Sequence, residues 1–148
     1  MRSLFLAAAV SIALAAPDAF ADVTVQDAWV RATVPGQKSG GAFMQLTSTT
    51  DVTLVGARSP VAGTVEIHEM ALEEATLTMK MRAVKGIELP AVKTVALKPG
   101  GYHVMLLDLK EPMRAGSKVK LRLLLKDRKG EPDDVDVEVE VKPVGARL

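Results

Sequence analysis

The feature that most constrains how this chain can fold is alternation with a period of two. In Val135-Asp136-Val137-Glu138-Val139-Glu140-Val141 every second residue is apolar, and Lys118-Val119-Lys120-Leu121-Arg122-Leu123 repeats the pattern. Side chains two apart share a face of a strand, so this periodicity describes strands with one buried face and excludes amphipathic helices. Between these runs, the polar segment 126–134 with Gly130 and Pro132 reads as a hairpin loop. Earlier strands are predicted over 23–32, 39–48, 51–58, 64–70, 77–83, 94–97 and 102–109. Turn chemistry at Pro35-Gly36, Ser59-Pro60, Ala62-Gly63, Pro99-Gly100-Gly101 and Ala115-Gly116 separates them. About nine short strands punctuated in this way imply an all-β domain, a Greek-key β-sandwich.

The first residues have a different character. Arg2, an apolar run from Leu4 to Ala16, Pro17 and the small-residue site Ala19-Phe20-Ala21 read as a signal peptide over residues 1–21, cleaved after Ala21. The run is shorter than the ~20 residues a membrane helix needs, so no membrane span is expected in the mature chain, residues 22–148. The 148 residues contain no cysteine, which removes a disulfide framework, a thiolate nucleophile, a lipid acceptor and Cys-based zinc sites. A periplasmic location is the expectation. The formal net charge of +1, with acids and bases interspersed, suggests no nucleic-acid partner.

The chain has two histidines, and each precedes a methionine by two residues, in His68-Glu69-Met70 and His103-Val104-Met105. On a strand each pair directs imidazole and thioether to one face. Met79-Lys80-Met81 adds two thioethers on a common face of another strand. Thioether sulfur is a soft, neutral donor that selects Cu(I), and imidazole can complete such a site. Methionine is also a common core filler. Met44 and Met113 are read as packing, while Met79 and Met81 are open to either role. Hard cations are disfavoured because the carboxylates are scattered. A blue-copper centre would require a cysteine.

Catalysis finds little support. None of Ser39, Ser48, Ser59 and Ser117 sits in a nucleophile elbow. A zinc-dependent hydrolase could draw on both histidines and Glu66 or Glu69, but those two acids fall on opposite strand faces. The chain is therefore read as a metal carrier and not an enzyme. Trp29 and Tyr102 are assigned to packing, and Arg31 is read as an exposed strand residue in preference to one lining a surface near the site.

The motifs Asp27-Ala28-Trp29-Val30-Arg31-Ala32, Val65-Glu66-Ile67-His68-Glu69-Met70, Met79-Lys80-Met81-Arg82 and Pro99-Gly100-Gly101-Tyr102-His103-Val104-Met105 resemble the PCuAC family of periplasmic copper chaperones. The resemblance implies a cupredoxin-like β-sandwich that holds one Cu(I) through His68, Met81, His103 and Met105. Met79 and Met70 are reserve ligands, because His68 to Met81 is two residues longer than the family's spacing. It further implies delivery to the CuA centre of a cytochrome c oxidase subunit, alongside a thiol-bearing Sco-type protein. Copper sequestration for tolerance is the alternative role.

Overall fold

The computed structural model describes residues 21–146, so the predicted signal segment lies almost wholly outside the described residues. Ten strands follow in order: β1 (Val23–Arg31), β2 (Ser39–Ser48), β3 (Val52–Arg58), β4 (Ala62–Glu73), β5 (Thr78–Ala83), β6 (Ile87–Leu89), β7 (Thr94–Leu97), β8 (His103–Leu109), β9 (Lys118–Asp127) and β10 (Val135–Lys142). There is no helix among the described residues, and hence none long and apolar enough to cross a membrane.

The ladders form one path, β5-β4-β8-β2-β1-β10-β9-β3-β6, with β7 also paired to β2. All contacts in it are antiparallel except β1 with β10, where Trp29, Val30 and Arg31 run alongside Glu140, Val141 and Lys142. The path wraps into a β-sandwich, and the period-two pattern supplies its filling. Ala42, Met44 and Leu46 from β2, Val104 and Leu106 from β8, and Leu121, Leu123 and Leu125 from β9 are all buried in a common core. Met44 and Met113 belong to it too, as their reading as packing requires.

Two irregularities aim side chains away from that core. Along β1 the register with β2 shifts between Gln26 and Trp29, and Asp27 has a φ of 50°. This extra residue is a β-bulge, and it exchanges the faces of everything beyond it. Unbroken alternation from Val23 and Val25 would send Trp29 into the core. Instead Val30 goes inward, and Trp29 and Arg31 share the outer face with Phe43. The second irregularity lies between β7 and β8, which run along the same edge of β2: Met44 pairs with Leu97, while Ala42 pairs with Val104. Residues 98–102 are an excursion looped out between them. It closes as a turn in which Gly101 N–H donates to Lys98 O at 2.9 Å, with Gly100 at φ 84°. Pro then Gly at the two central positions, the second with positive φ, matches a type II turn.

Candidate metal centre

The outer face of β5-β4-β8-β2-β1 gathers the His and Met residues. His68 lies opposite His103, Met70 opposite Met81, Leu72 opposite Met79, and Gly41 opposite Met105. Directly opposed residues point to the same side of a sheet. A cleft of about 250 Å³ opens there, lined by Met70, Met81, His103 and Met105 with Arg31, Phe43 and the turn residues Pro99 and Gly100 among its other walls. Gly41 keeps the floor clear, since a Cβ there would meet Phe43 Cζ at 2.9 Å.

The cleft therefore brings together three thioethers and one imidazole. His103 is only 4% exposed. Its Nδ1–H donates to Gly101 O at 3.1 Å, which fixes the tautomer and leaves Nε2, buried and without a hydrogen-bond partner, as a free lone pair. The same carbonyl accepts the Met70 N–H at 3.3 Å, so the looped-out turn ties two cleft residues on different strands. Burial holds the His103 imidazole below its ordinary pKa; the Gly101 hydrogen bond opposes this, and the neighbouring His68 adds to it. A neutral imidazole is the form that can bind a metal.

His68 is beside the cleft and does not line it. Its ring centroid is 5.7 Å from that of His103, and the row continues from His103 to Phe43 at 6.1 Å and from Phe43 to Trp29 at 4.7 Å. Its Nε2–H donates to Glu66 Oε2 at 2.7 Å, leaving a buried, unpartnered Nδ1. Of Met81, the ligand the resemblance implies, and its reserve Met79, the first lines the cleft and the second does not. Met81 pairs with Met70 on the cleft wall, and Met79 lies two ladder pairs further out, opposite Leu72, the two methionines being similarly exposed at 49% and 54%. Met70, a reserve in the sequence reading, lines the cleft.

One expectation changes. Arg31 is partly buried and lines the cleft, its guanidinium carbon 5.6 Å from the Trp29 ring centroid and 5.5 Å from that of Phe43. A charged residue on a strand is ordinarily exposed, which is why the sequence reading favours the surface for this arginine; the bulge in β1 and the rings of Trp29 and Phe43 place it in the cleft wall instead. For zinc, among the described residues no three His, Cys, Asp or Glu side chains converge as a metal-binding group.

An open cleft with an imidazole and thioethers on the outer face of an all-β sandwich defines a small domain of PCuAC architecture. A copper-bound PCuAC domain from PmoF2 has this fold, with a TM-score of 0.64 at 22% identity, covering 82% of this chain and 92% of that one. The chain belongs to the LpqE-like family, described as "Putative lipoprotein LpqE-like", which it matches over residues 23–141. It is 34% identical to "Putative lipoprotein Lxx21020" of Leifsonia xyli subsp. xyli over 116 residues, 78% of this chain and 69% of that protein. DR1885 of Deinococcus radiodurans is similar in its apo form, at 30% identity and a TM-score of 0.57 over 96% of this chain and 95% of that one. Its CuI form is 31% identical, with a TM-score of 0.50 over 88% of this chain and 81% of that one.

Proposed function

We propose that this protein is a periplasmic Cu(I) carrier that holds one cuprous ion in the outer-face cleft and surrenders it to an acceptor. The observation that carries the reading is the donor set: His103, with a fixed tautomer and a free, buried Nε2, lines one cleft together with Met70, Met81 and Met105. Soft, neutral donors suit Cu(I) and disfavour the hard divalent cations. The likeness to the CuI form of DR1885 supports the same cargo. In this reading His103, Met81 and Met105 are ligands and Met70 takes the fourth position. His68 is the competing fourth ligand, favoured by its buried and unpartnered Nδ1.

Four neutral ligands leave the ion's positive charge uncompensated, so an acceptor with cysteine thiolates binds it more tightly and hand-over runs downhill by ligand exchange. The chain, having no cysteine, supplies no reductant for an acceptor disulfide. Delivery to the CuA site of cytochrome c oxidase, with a Sco-type protein supplying thiols, is the route the family resemblance supports; sequestration would use the same site without an acceptor. Export after cleavage at Ala21 agrees with a family match that begins at residue 23.

The test is anaerobic Cu(I) competition against a chromophoric chelator, for the wild type and for His103→Ala and Met81→Leu. One-to-one binding weakened by both substitutions, each by about tenfold or more (~1.4 kcal/mol), is expected. Binding indifferent to Met81→Leu would remove the thioether site.

A further inference from the structure

Arg31 is the charged group of this face that the carrier reading leaves without a task. On the face that carries the cleft, Glu66 is engaged by His68 at 2.7 Å, while the pairs Glu69–Arg82 and Glu73–Lys80 lie on the other face of the β4–β5 ladder from Met70 and Met81. Arg31 makes no ion pair among the described residues. Its Nε is buried without an acceptor, and its contacts are the faces of Trp29 and Phe43. Ring faces attract the cation and fix its plane, but they do not occupy its N–H fork. A permanently charged group with unused donors therefore forms part of the wall of a cleft that also contains His103 and Met105. Lys142, with Nζ 5.9 Å from the Trp29 ring centroid, adds a second positive charge on the same side.

We propose that Arg31 makes this cleft an anion-receiving site, drawing the thiolate of an incoming acceptor to the bound cuprous ion. The inference rests on the Cu(I) reading above. With neutral ligands around Cu(I), the cleft holds the ion's charge and the guanidinium's together, in surroundings partly screened from water. That pairing attracts an anionic soft ligand, which promotes hand-over. The step is a ligand exchange: the acceptor thiol loses its proton to solvent, its sulfur forms a bond to Cu(I), and one thioether sulfur leaves. No electron moves. A neutral acceptor gains nothing from Arg31, so the arginine discriminates acceptors by charge.

The experiment loads the purified protein with one equivalent of Cu(I) under anaerobic conditions. It then follows the loss of metal to glutathione, an anionic thiol, and to neocuproine, a neutral chelator, by rapid desalting and metal analysis. Arg31→Gln is expected to slow transfer to glutathione about tenfold or more and to leave transfer to neocuproine within about twofold of the wild type. Arg31→Lys, which keeps the charge, is expected to recover most of the glutathione rate. Wild-type speed toward glutathione in Arg31→Gln would overturn the proposal, as would equal slowing toward both acceptors, which would mark Arg31 as a support for the sheet face. Failure of the wild type to take up Cu(I) would instead overturn the carrier reading on which the proposal stands.

Discussion

In the proposed carrier, Glu66 and Met70 bear on whether His68 or Met70 is the fourth ligand. Glu66 accepts the His68 Nε2–H and so presents a lone pair at His68 Nδ1, an outer carboxylate of the kind that tunes metal-bound imidazoles. Met70, by contrast, is directly opposite Met81 on the cleft wall. Met70→Leu is expected to weaken Cu(I) binding about tenfold or more, and His68→Ala and Glu66→Gln to have smaller effects. Competition titration of the three variants is the check. A loss in His68→Ala equal to that in Met70→Leu would put His68 on the metal, and Glu66→Gln should then weaken binding about 10–100-fold. The repeated His-x-Met pattern made His103 and Met105 legible in the sequence, because residues two apart must share a strand face. The cross-strand partners were not legible: whether His68 or Met70 faces Met81 depends on where the hairpin turns, and the bulge at Asp27 that brings Arg31 to the cleft follows from backbone conformation.

At the level of elements, β5 is the part of the sandwich with least to hold it. It is an edge strand, all six of its residues are exposed, and among the described residues its only ladder is with the far half of β4, which meets the β4–β8 ladder at His68 alone. Such segments open locally at low cost. Cu(I) bound between Met81 on β5 and His103 and Met105 on β8 would tie the hairpin to the body of the sheet. Amide hydrogen exchange of residues 78–83 is expected to be fast in the apo protein and about tenfold or more slower with Cu(I), while β9 is unchanged. Equal exchange in both forms would remove Met81 from the ligand set. Strand assignment from sequence fared according to length and regularity. The spans predicted over 39–48 and 94–97 match β2 and β7, since alternation and flanking turns mark them on both sides. Ile87–Leu89 was missed because three residues between Gly86 and Pro90 are too few to show a period. The run Leu123-Leu124-Leu125 hid the continuation of β9, which pairs with a β3 that is itself irregular between Leu54 and Gly56.

For the molecule as a whole, burying an imidazole ties apo stability to pH in a window separate from that of the surface acids. His103 has a folded-state pKa depressed by burial, against an unfolded value of about 6.5. Above that unfolded value both states carry a neutral ring and the native contribution is intact. As pH falls below it the unfolded chain takes up the proton first, so stability declines until the folded-state pKa is passed. Asp51, Glu73 and Asp136 are also shifted down, the first chiefly by the Ala91 N–H and the others by Lys80 and Arg122. Their contributions are present above the ordinary carboxylate range and are lost only as pH falls through and below about 4. The apo protein should therefore lose thermal stability in two separate stages on acidification, the first beginning near pH 6.5. Scanning calorimetry of the apo wild type beside His103→Gln checks this, because the variant has no buried imidazole at position 103 to protonate and should lack the first stage while keeping the second. Competition between protons and copper for His103 Nε2 gives the same residue a further effect in the loaded protein: Cu(I) affinity falls over the acid range in which the folded-state imidazole takes up its proton. An apo wild type whose melting temperature is level from pH 7 to pH 5 would mean that the buried imidazole finds a compensating acceptor when charged and keeps a folded-state pKa near its unfolded one, so that proton competition with copper would set in nearer about pH 6.5.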